Sequence, residues 1–336
     1  MLSETLPSPT THPLPGGVCR LSHLGVIRAQ GEEAAKFLHG QLTNDFALLG
    51  PTQARLAALC SPKGRMLASF VGFKRAADDI VLVCSADLLA PTLKRLSMFV
   101  LRAKVKLSDA SADLAVWGLT GDAVAALAGA AGQADAAPWT LAALPGGDAA
   151  AQLGHAVRLY PADGVPRAMR IQPAGESLAG VGTQQELPEP LWLWGEVRSG
   201  VARVTQPVVD AFVPQMLNYE SVGGVNFQKG CYPGQEVVAR SQFRGTLKRR
   251  AYRVHIPAAA SVALPAGTEV FDAADAEQPV GEVALVAATP DATRGGFDAI
   301  ACLSVAAADG RSLRVGSASG AELRIDTLPY ALRDDL

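Results

Sequence analysis

The 336-residue sequence has few devices for holding a chain together covalently or through a metal. Its five cysteines, Cys19, Cys60, Cys84, Cys231 and Cys302, lie far apart, with no Cys-x-x-Cys and no Cys/His pair at zinc spacing. That argues against a disulfide framework or a zinc ribbon. No apolar run approaches the ~18 residues that a membrane-crossing helix needs. The first 17 residues, MLSETLPSPTTHPLPGG, have prolines at 7, 9, 13 and 15 but neither a basic start nor an apolar stretch, so they read as a loose arm rather than a secretory signal. Net charge is nearly missing too. Thirty Lys plus Arg against 32 Asp plus Glu leave −2, which gives no overall attraction to nucleic acid or to an anionic membrane. Thiols without a secretory context fit a reducing compartment, so the cytoplasm is the expected location. There is no solenoid repeat, no HExxH and no phosphate-loop spacing, and GSASG at 316–320 has Ala318 where a hydrolase elbow needs its serine.

What is present is 49% hydrophobic content on a chain long enough for a substantial core and about two domains or more. From Gly31, GEEAAKFLHGQLTND sets Ala34, Phe37, Leu38 and Leu42 on one face, which predicts a helix ending near Gly40. ARLAALCS and MLASFVGFKR flank Pro62-Lys63-Gly64 as a hairpin, and DDIVLVC supplies a third strand. Ser85 is placed to cap a helix over 86–99 that repeats Leu89, Leu93, Leu96 and Phe99, with VKL as a further strand. LAVWGLTGDAVAALAGAA predicts another strand and helix, and the Ala/Gly/Pro-rich 128–150 stretch reads as a surface excursion. HAVRLYP and RAMRIQP look like paired strands, and LPEPLWLWGEVRSG like a helix entered through proline. From 250 onward RAYRVHIP, GTEVFD, PVGEVALVAA, FDAIACLSVA and ELRIDTLPY are short strands that predict an all-β barrel or sandwich. The fold class is α+β.

The densest unusual stretch runs from Phe227 to Glu236, FQKGCYPGQE. A lysine two residues before Cys231 favours thiolate, Gly230 and Gly234 allow close approach, and Gln235 and Glu236 offer hydrogen-bond partners. A free cysteine is more often inert packing, so composition alone leaves both readings open. The basic run Arg244, Lys248, Arg249, Arg250 and Arg253 reads as a solvated strand face before it reads as an RNA footprint. Asp78-Asp79 is a hairpin turn before it is a carboxylate dyad, and none of the five histidines has metal-site spacing.

KGCYPGQE, preceded by PQMLNYESVGGVNFQ and followed by VVARSQFRGTLKRR, resembles the signature of the YgfZ family of folate-binding proteins, bacterial relatives of the glycine-cleavage T-protein. FLHGQLTND, SPKGRM, LWLWGEVRSG and IDTLPY match in family order, so the resemblance spans about residues 20 to 330. It implies a T-protein-like fold: two interleaved α+β modules and a C-terminal β-barrel around a central opening that holds tetrahydrofolate or another folate. The corresponding divisions are a 1–17 arm, a folate-binding region 18–246 made of modules 18–110 and 111–246, and a barrel 247–336. It also implies a role supporting assembly or repair of iron–sulfur cluster enzymes, with an indirect effect on tRNA thiolation. The partners implied are folate and cluster enzymes or assembly proteins, with no direct nucleic acid and no membrane. The working thiol would be Cys231 with Lys229, Gly230, Tyr232, Gly234, Gln235 and Glu236, and the folate contacts Leu24, Trp192, Arg198, Asn44, Lys63 and Arg65.

Two departures qualify the resemblance. The T-protein's catalytic carboxylate lies a few residues after the hairpin glycine, but Gly64 is followed here by Arg65, Met66, Leu67, Ala68 and Ser69, with no acid. That argues against aminomethyl transfer and leaves an aminomethyltransferase-like fold without its expected acid. The T-protein's pterin-binding glutamate is replaced by Arg198, which has donors only and suits a folate carboxylate or a local acid. Trp192 matches a tryptophan that borders the folate, while Leu24 stands where an aromatic can face it. Without the resemblance, Trp192 is plain core, Lys63 and Arg65 are hairpin charges, and Asn44 and Asp45 are turn formers. Rival readings are a tetrahydrofolate-dependent one-carbon transferase acting on a small molecule, and a non-catalytic binding scaffold. A single cysteine cannot hold a stable cluster alone, so the resident ligand implied is folate and no metal.

Overall fold

The structure is a computed structural model and describes residues 14–131, 136–145, 152–178, 184–244, 246–257, 263–290 and 294–333. The chain runs β1 (Gly17–Arg20), β2 (Leu24–Gln30), α1 (Ala34–His39), β3 (Ala54–Cys60), β4 (Met66–Ala76), β5 (Asp79–Ser85), α2 (Ala86–Ser97) and β6 (Lys106–Asp109). It continues through β7 (Leu114–Thr120), α3 (Asp122–Ala131), β8 (Leu141–Pro145), β9 (Gln152–Ala162), β10 (Val165–Pro173), α4 (Glu189–Arg198) and α5 (Gln235–Phe243). The last part holds β11 (Arg249–Ile256), β12 (Glu269–Asp272), β13 (Asp275–Ala288), β14 (Phe297–Ser304), α6 (Val305–Ala308), β15 (Leu313–Val315) and β16 (Ala321–Asp326). Two antiparallel sheets, ordered β3-β4-β5-β2-β6 and β1-β7-β10-β9-β8, precede a closed barrel β11-β14-β13-β12-β15-β16.

The expected α+β class, with two sheets and a C-terminal barrel, is the observed one. Alternating apolar residues let the two sheets pack face to face: Val26, Phe73, Val81 and Val83 of the first meet Val116, Val157, Met169 and Ile171 of the second. The modules interleave, because β1 precedes β2 in sequence yet pairs with β7, Val18 opposite Leu119. A separate core of Val254, Ile256, Val270, Val283, Ala301, Leu303 and Leu323 fills the barrel.

Several local readings are corrected. Within 128–150, Leu141–Pro145 is a strand paired with β9 and its Leu141 and Leu144 are buried, while 132–135 and 146–150 lie outside the described residues, as does most of the 1–17 arm. With Leu141 and Leu144 three apart among alanines, that strand has no alternation to read from the sequence. Ser85 stands at the N-cap position of α2 but makes no cap hydrogen bond; its hydroxyl accepts from Arg203 instead. Phe99 is exposed because α2 ends at Ser97. Arg250 and Arg253 are not a solvated face. Arg250 pairs with the buried Glu220 at 2.8 Å, and Arg253 with Asp163 at 2.6 Å.

Two loops from distant parts of the chain cross at bare glycines. Gly64, in the β3–β4 turn, and Gly234, before α5, both have positive φ (+71° and +78°). A Cβ on Gly234 would stand 2.3 Å from the Ser61 carbonyl oxygen and 2.7 Å from the Gly64 Cα, so only hydrogen fits. The crossing fixes the Cys231 loop against the end of the hairpin whose strands run back into the core.

Two stability measurements follow from this architecture. Gly234→Ala should cost about 2–4 kcal/mol in chemical denaturation, combining left-handed strain with a backbone clash. Gly164→Ala, equally positive in φ but with nothing within 4 Å of its Cβ, should cost only about 1 kcal/mol. Between the sheets, the His155 ring lies 5.1 Å from that of Phe73, and burial, reinforced by Arg75, pushes its pKa down to about 4. The unfolded chain binds this proton near pH 6.5, whereas the folded one refuses it until about 4, so stability should fall as pH drops through that window. The loss should reach on the order of 3 kcal/mol, and His155→Gln should flatten it in pH-dependent urea melts.

Candidate functional site

Helix α4 is entered through Pro188 and Pro190, and its residues divide between two neighbours by helical spacing. Trp194 and Arg198, four apart, turn toward the barrel. The Trp194 Nε1–H donates to Asp298 (2.7 Å), and Arg198 meets Asp163 (2.5 Å), Asp326 (3.0 Å) and Asp298 (3.7 Å). Trp192, Glu196 and Ser199 instead line a half-open pocket, walled by Leu24, Phe70, Val71 and Val83 of the first sheet and Leu159, Tyr160, Arg167 and Met169 of the second. Trp139, Arg203 and Tyr219 complete its walls. Its mostly apolar, aromatic lining with a few polar groups is that of small-molecule sites.

The charged side chains lining this cavity are Arg167, Glu196 and Arg203. Burial alone would raise the Glu196 carboxyl, but Arg203, His23 and Arg167 outweigh it and hold it well below the usual carboxylate range. Arg203 approaches it at 3.2 Å, His23 at 3.8 Å, and the Trp192 Nε1–H donates to it at 3.3 Å. Arg167 is 2% exposed, and burial pushes its pKa down to about 10, so it stays charged at neutral pH. Its guanidinium lies over the Trp192 ring, 4.3 Å from the centroid, yet its Nε and Nη2 groups have no hydrogen-bond partner. A buried arginine left with free donors is costly and calls for an acceptor from outside the chain. Trp192 itself is covered: Gly118 presses on its ring so closely that a Cβ there would be 2.4 Å away, and Arg167 caps it.

The Cys231 loop lies elsewhere. Cys231 is exposed, whereas Cys19, Cys60, Cys84 and Cys302 are buried, with burial pushing their thiols up to about 11 to 12. Lys229 sits over the Tyr232 ring, 4.6 Å from its centroid, and donates to the Gly230 carbonyl at 3.0 Å. Burial lowers its pKa to about 8 against the opposing pull of Asp45 and Cys231. Gln235 closes a turn through its backbone N–H to the Tyr232 carbonyl (3.2 Å). Glu236 is exposed and pairs with Arg240, one turn along α5, instead of bracing the loop.

Of the six residues proposed from sequence as folate contacts, Leu24 and Trp192 line the cavity and four do not. Arg198 is spent on local acids, as its donor chemistry allowed. Asn44 is buried, and its amide donates to the carbonyls of Leu56 (2.8 Å) and Gly223 (2.7 Å). Lys63 is exposed on the hairpin turn, and Arg65 donates to the Ala211 carbonyl. Arg167, Glu196 and Arg203 were missed. Glu196 could have been found one helical turn after Trp192, but Arg167 reads only as an alternate residue of a strand. Ala68, where an acid was sought, is buried, and the adjacent Ser69 hydroxyl accepts from the Val204 N–H at 2.9 Å. Among the described residues no helix is long and apolar enough to cross a membrane, and no group of three or more His, Cys, Asp or Glu side chains could hold a metal ion.

Comparison with known proteins places this geometry. The family model for the GCVT N-terminal domain matches residues 15–144. The solved aminomethyltransferase T of the glycine cleavage system from Bartonella henselae superposes with a TM-score of 0.69 over 94% of this chain and 86% of its own, at 17% identity, which shows a shared fold. The tRNA-modifying protein YgfZ of Edwardsiella ictaluri is 33% identical over 244 residues, 70% of each chain. Its namesake from Colwellia psychrerythraea is 30% identical over 232 residues, 68% of each. With this identity over more than two thirds of both chains, the protein belongs to the YgfZ family of tRNA-modifying proteins.

Proposed function

We propose that the chain binds a reduced folate, tetrahydrofolate or a derivative, in the cavity between its two sheets. Through that ligand and the exposed Cys231 it supports assembly or repair of iron–sulfur cluster enzymes, and thereby tRNA thiolation. The observation that carries the reading is Arg167, a buried cation with unpaired donors, set beside the ionised Glu196 in an aromatic slot. A pterin ring presents a carbonyl acceptor next to N–H donors, the complement of an arginine beside a carboxylate. Arg167 would take the acceptor edge and Glu196 the donor edge, with Leu24, Tyr160 and Trp139 as walls. Bound there, the folate supplies a one-carbon carrier.

The alternative of small-molecule one-carbon transfer has less behind it. Among the described residues lining the cavity the only carboxylate is Glu196. Held far below its ordinary range by Arg203, Arg167 and the His23 ring, it is a poor proton acceptor, so it suits binding more than general-base work. The cytoplasm is the expected setting, with cluster enzymes or their assembly proteins as partners.

The test is complementation of a bacterial strain lacking its own relative, read as methylthio-modified tRNA and as activity of a cluster-dependent enzyme. Wild type should restore both, and Cys231→Ser should restore neither. Arg167→Met should also fail, while its melting temperature without ligand stays level or rises, because it removes a buried charge with unsatisfied donors. Full restoration by Arg167→Met would contradict the folate reading, and full restoration by Cys231→Ser would favour the scaffold.

A further inference from the structure

His39, at the end of α1, is assigned no role by the folate reading, yet its geometry is that of an oriented base. Its Nδ1 lies 3.1 Å from Asp45 Oδ1. Asp45 is itself fixed: its carboxylate accepts the Leu48 N–H at 2.9 Å, and the Asn44 side chain accepts the Asp45 N–H at 2.8 Å. Burial would raise the Asp45 carboxyl, but the Leu48 and His39 hydrogen bonds outweigh it and hold it below its ordinary value. An ionised carboxylate only accepts, so Nδ1 carries the ring proton and Nε2 is left with its lone pair. That nitrogen faces the Cys231 loop: a Cβ on Gly230, the residue before the cysteine, would stand 3.3 Å from Nε2. Lys229 donates to the Gly230 carbonyl of the same loop at 3.0 Å, and Asp45 and Cys231 both act on its charge.

We infer that His39, oriented by Asp45, is the proton-transfer partner of Cys231 in thiol–disulfide exchange with a disulfide carried by a partner molecule. The inference rests on reading Cys231 as a working thiol and is independent of the folate cavity. As Cys231 Sγ attacks one sulfur of that disulfide, its proton passes to His39 Nε2 and a new S–S bond forms. The old S–S bond breaks, its electron pair leaves on the departing sulfur, and that sulfur recovers the proton from His39. No net oxidant is consumed. Lys229, as an ammonium, favours the thiolate along the way. The titratable groups around the imidazole are Asp45, bonded to Nδ1, and Lys229 and Cys231, which flank the Gly230 that Nε2 approaches. On its own helix, Lys36 is paired with Glu33 at 3.3 Å, and Arg102 lines the shallow groove beside Gly40.

The probe is 5,5′-dithiobis(2-nitrobenzoate), itself a disulfide, added to the reduced full-length protein across about pH 5.5 to 9. The four buried cysteines leave one fast thiol per chain, and Cys231→Ser sets the blank. Wild type should react well above that blank across the whole range. His39→Gln should lower the rate near pH 6 by at least about tenfold and converge with wild type near pH 9, where the thiol ionises unaided. Asp45→Asn should fall between them. As a second readout on unaltered backbone, the NMR titration midpoint of the His39 ring should move between wild type and Cys231→Ser. Superimposable rate profiles for wild type and His39→Gln, or an unmoved His39 midpoint, would overturn the inference.

Discussion

A single, largely buried constellation of charges ties the second sheet and α4 to the barrel. Asp163, in the turn between β9 and β10, accepts from Arg198 of α4 and from Arg253 of the barrel. Arg198 also reaches Asp326 of β16, while Asp298 of β14 is bound by Trp194 and by His255 (2.9 Å). Each of these charges is costly to bury alone, so removing one partner should strand the others. The arrangement locks the barrel-facing side of α4, and helical geometry then leaves Trp192 and Glu196 no direction but the cavity. The site therefore depends on ion pairs that never touch it.

The two chemical centres are joined by one hairpin. At its turn, Gly64 meets Gly234 beneath the Cys231 loop; farther along, Ser69, Phe70 and Val71 of β4 form a wall of the cavity. Cys231 is not among the residues lining that cavity. A pocket holding a cation that lacks an acceptor and an exposed thiol with its own acid–base neighbours are distinct devices connected by one hairpin. That division suits a factor whose ligand is held inside while its thiol meets partners outside.

Much of the architecture was legible in the sequence because periodicity reports burial directly. The β3–β4 hairpin, the proline-entered α4 and the C-terminal barrel all follow from alternation, turn residues and caps. The strand Leu141–Pro145 did not, since Leu141 and Leu144 separated by two alanines carry no distinguishable period. The Cys231 loop was legible as a dense local motif. Arg167, Glu196 and the His39–Asp45 pair were not, because their meaning arises from contacts across sheets and loops rather than spacing along the chain. Arg250 and Arg253 show the same limit: a basic run looks solvated until distant Glu220 and Asp163 arrive to pair with it.

The central claim is that Arg167 keeps its donors free for a ligand. Anaerobic calorimetric titration of the reduced protein with tetrahydrofolate, run on wild type, Arg167→Met and Cys231→Ala, tests it most directly. Saturable one-to-one binding that survives Cys231→Ala and is lost in Arg167→Met is the expected result. Absence of binding to wild type, or equal binding by wild type and Arg167→Met, would contradict it.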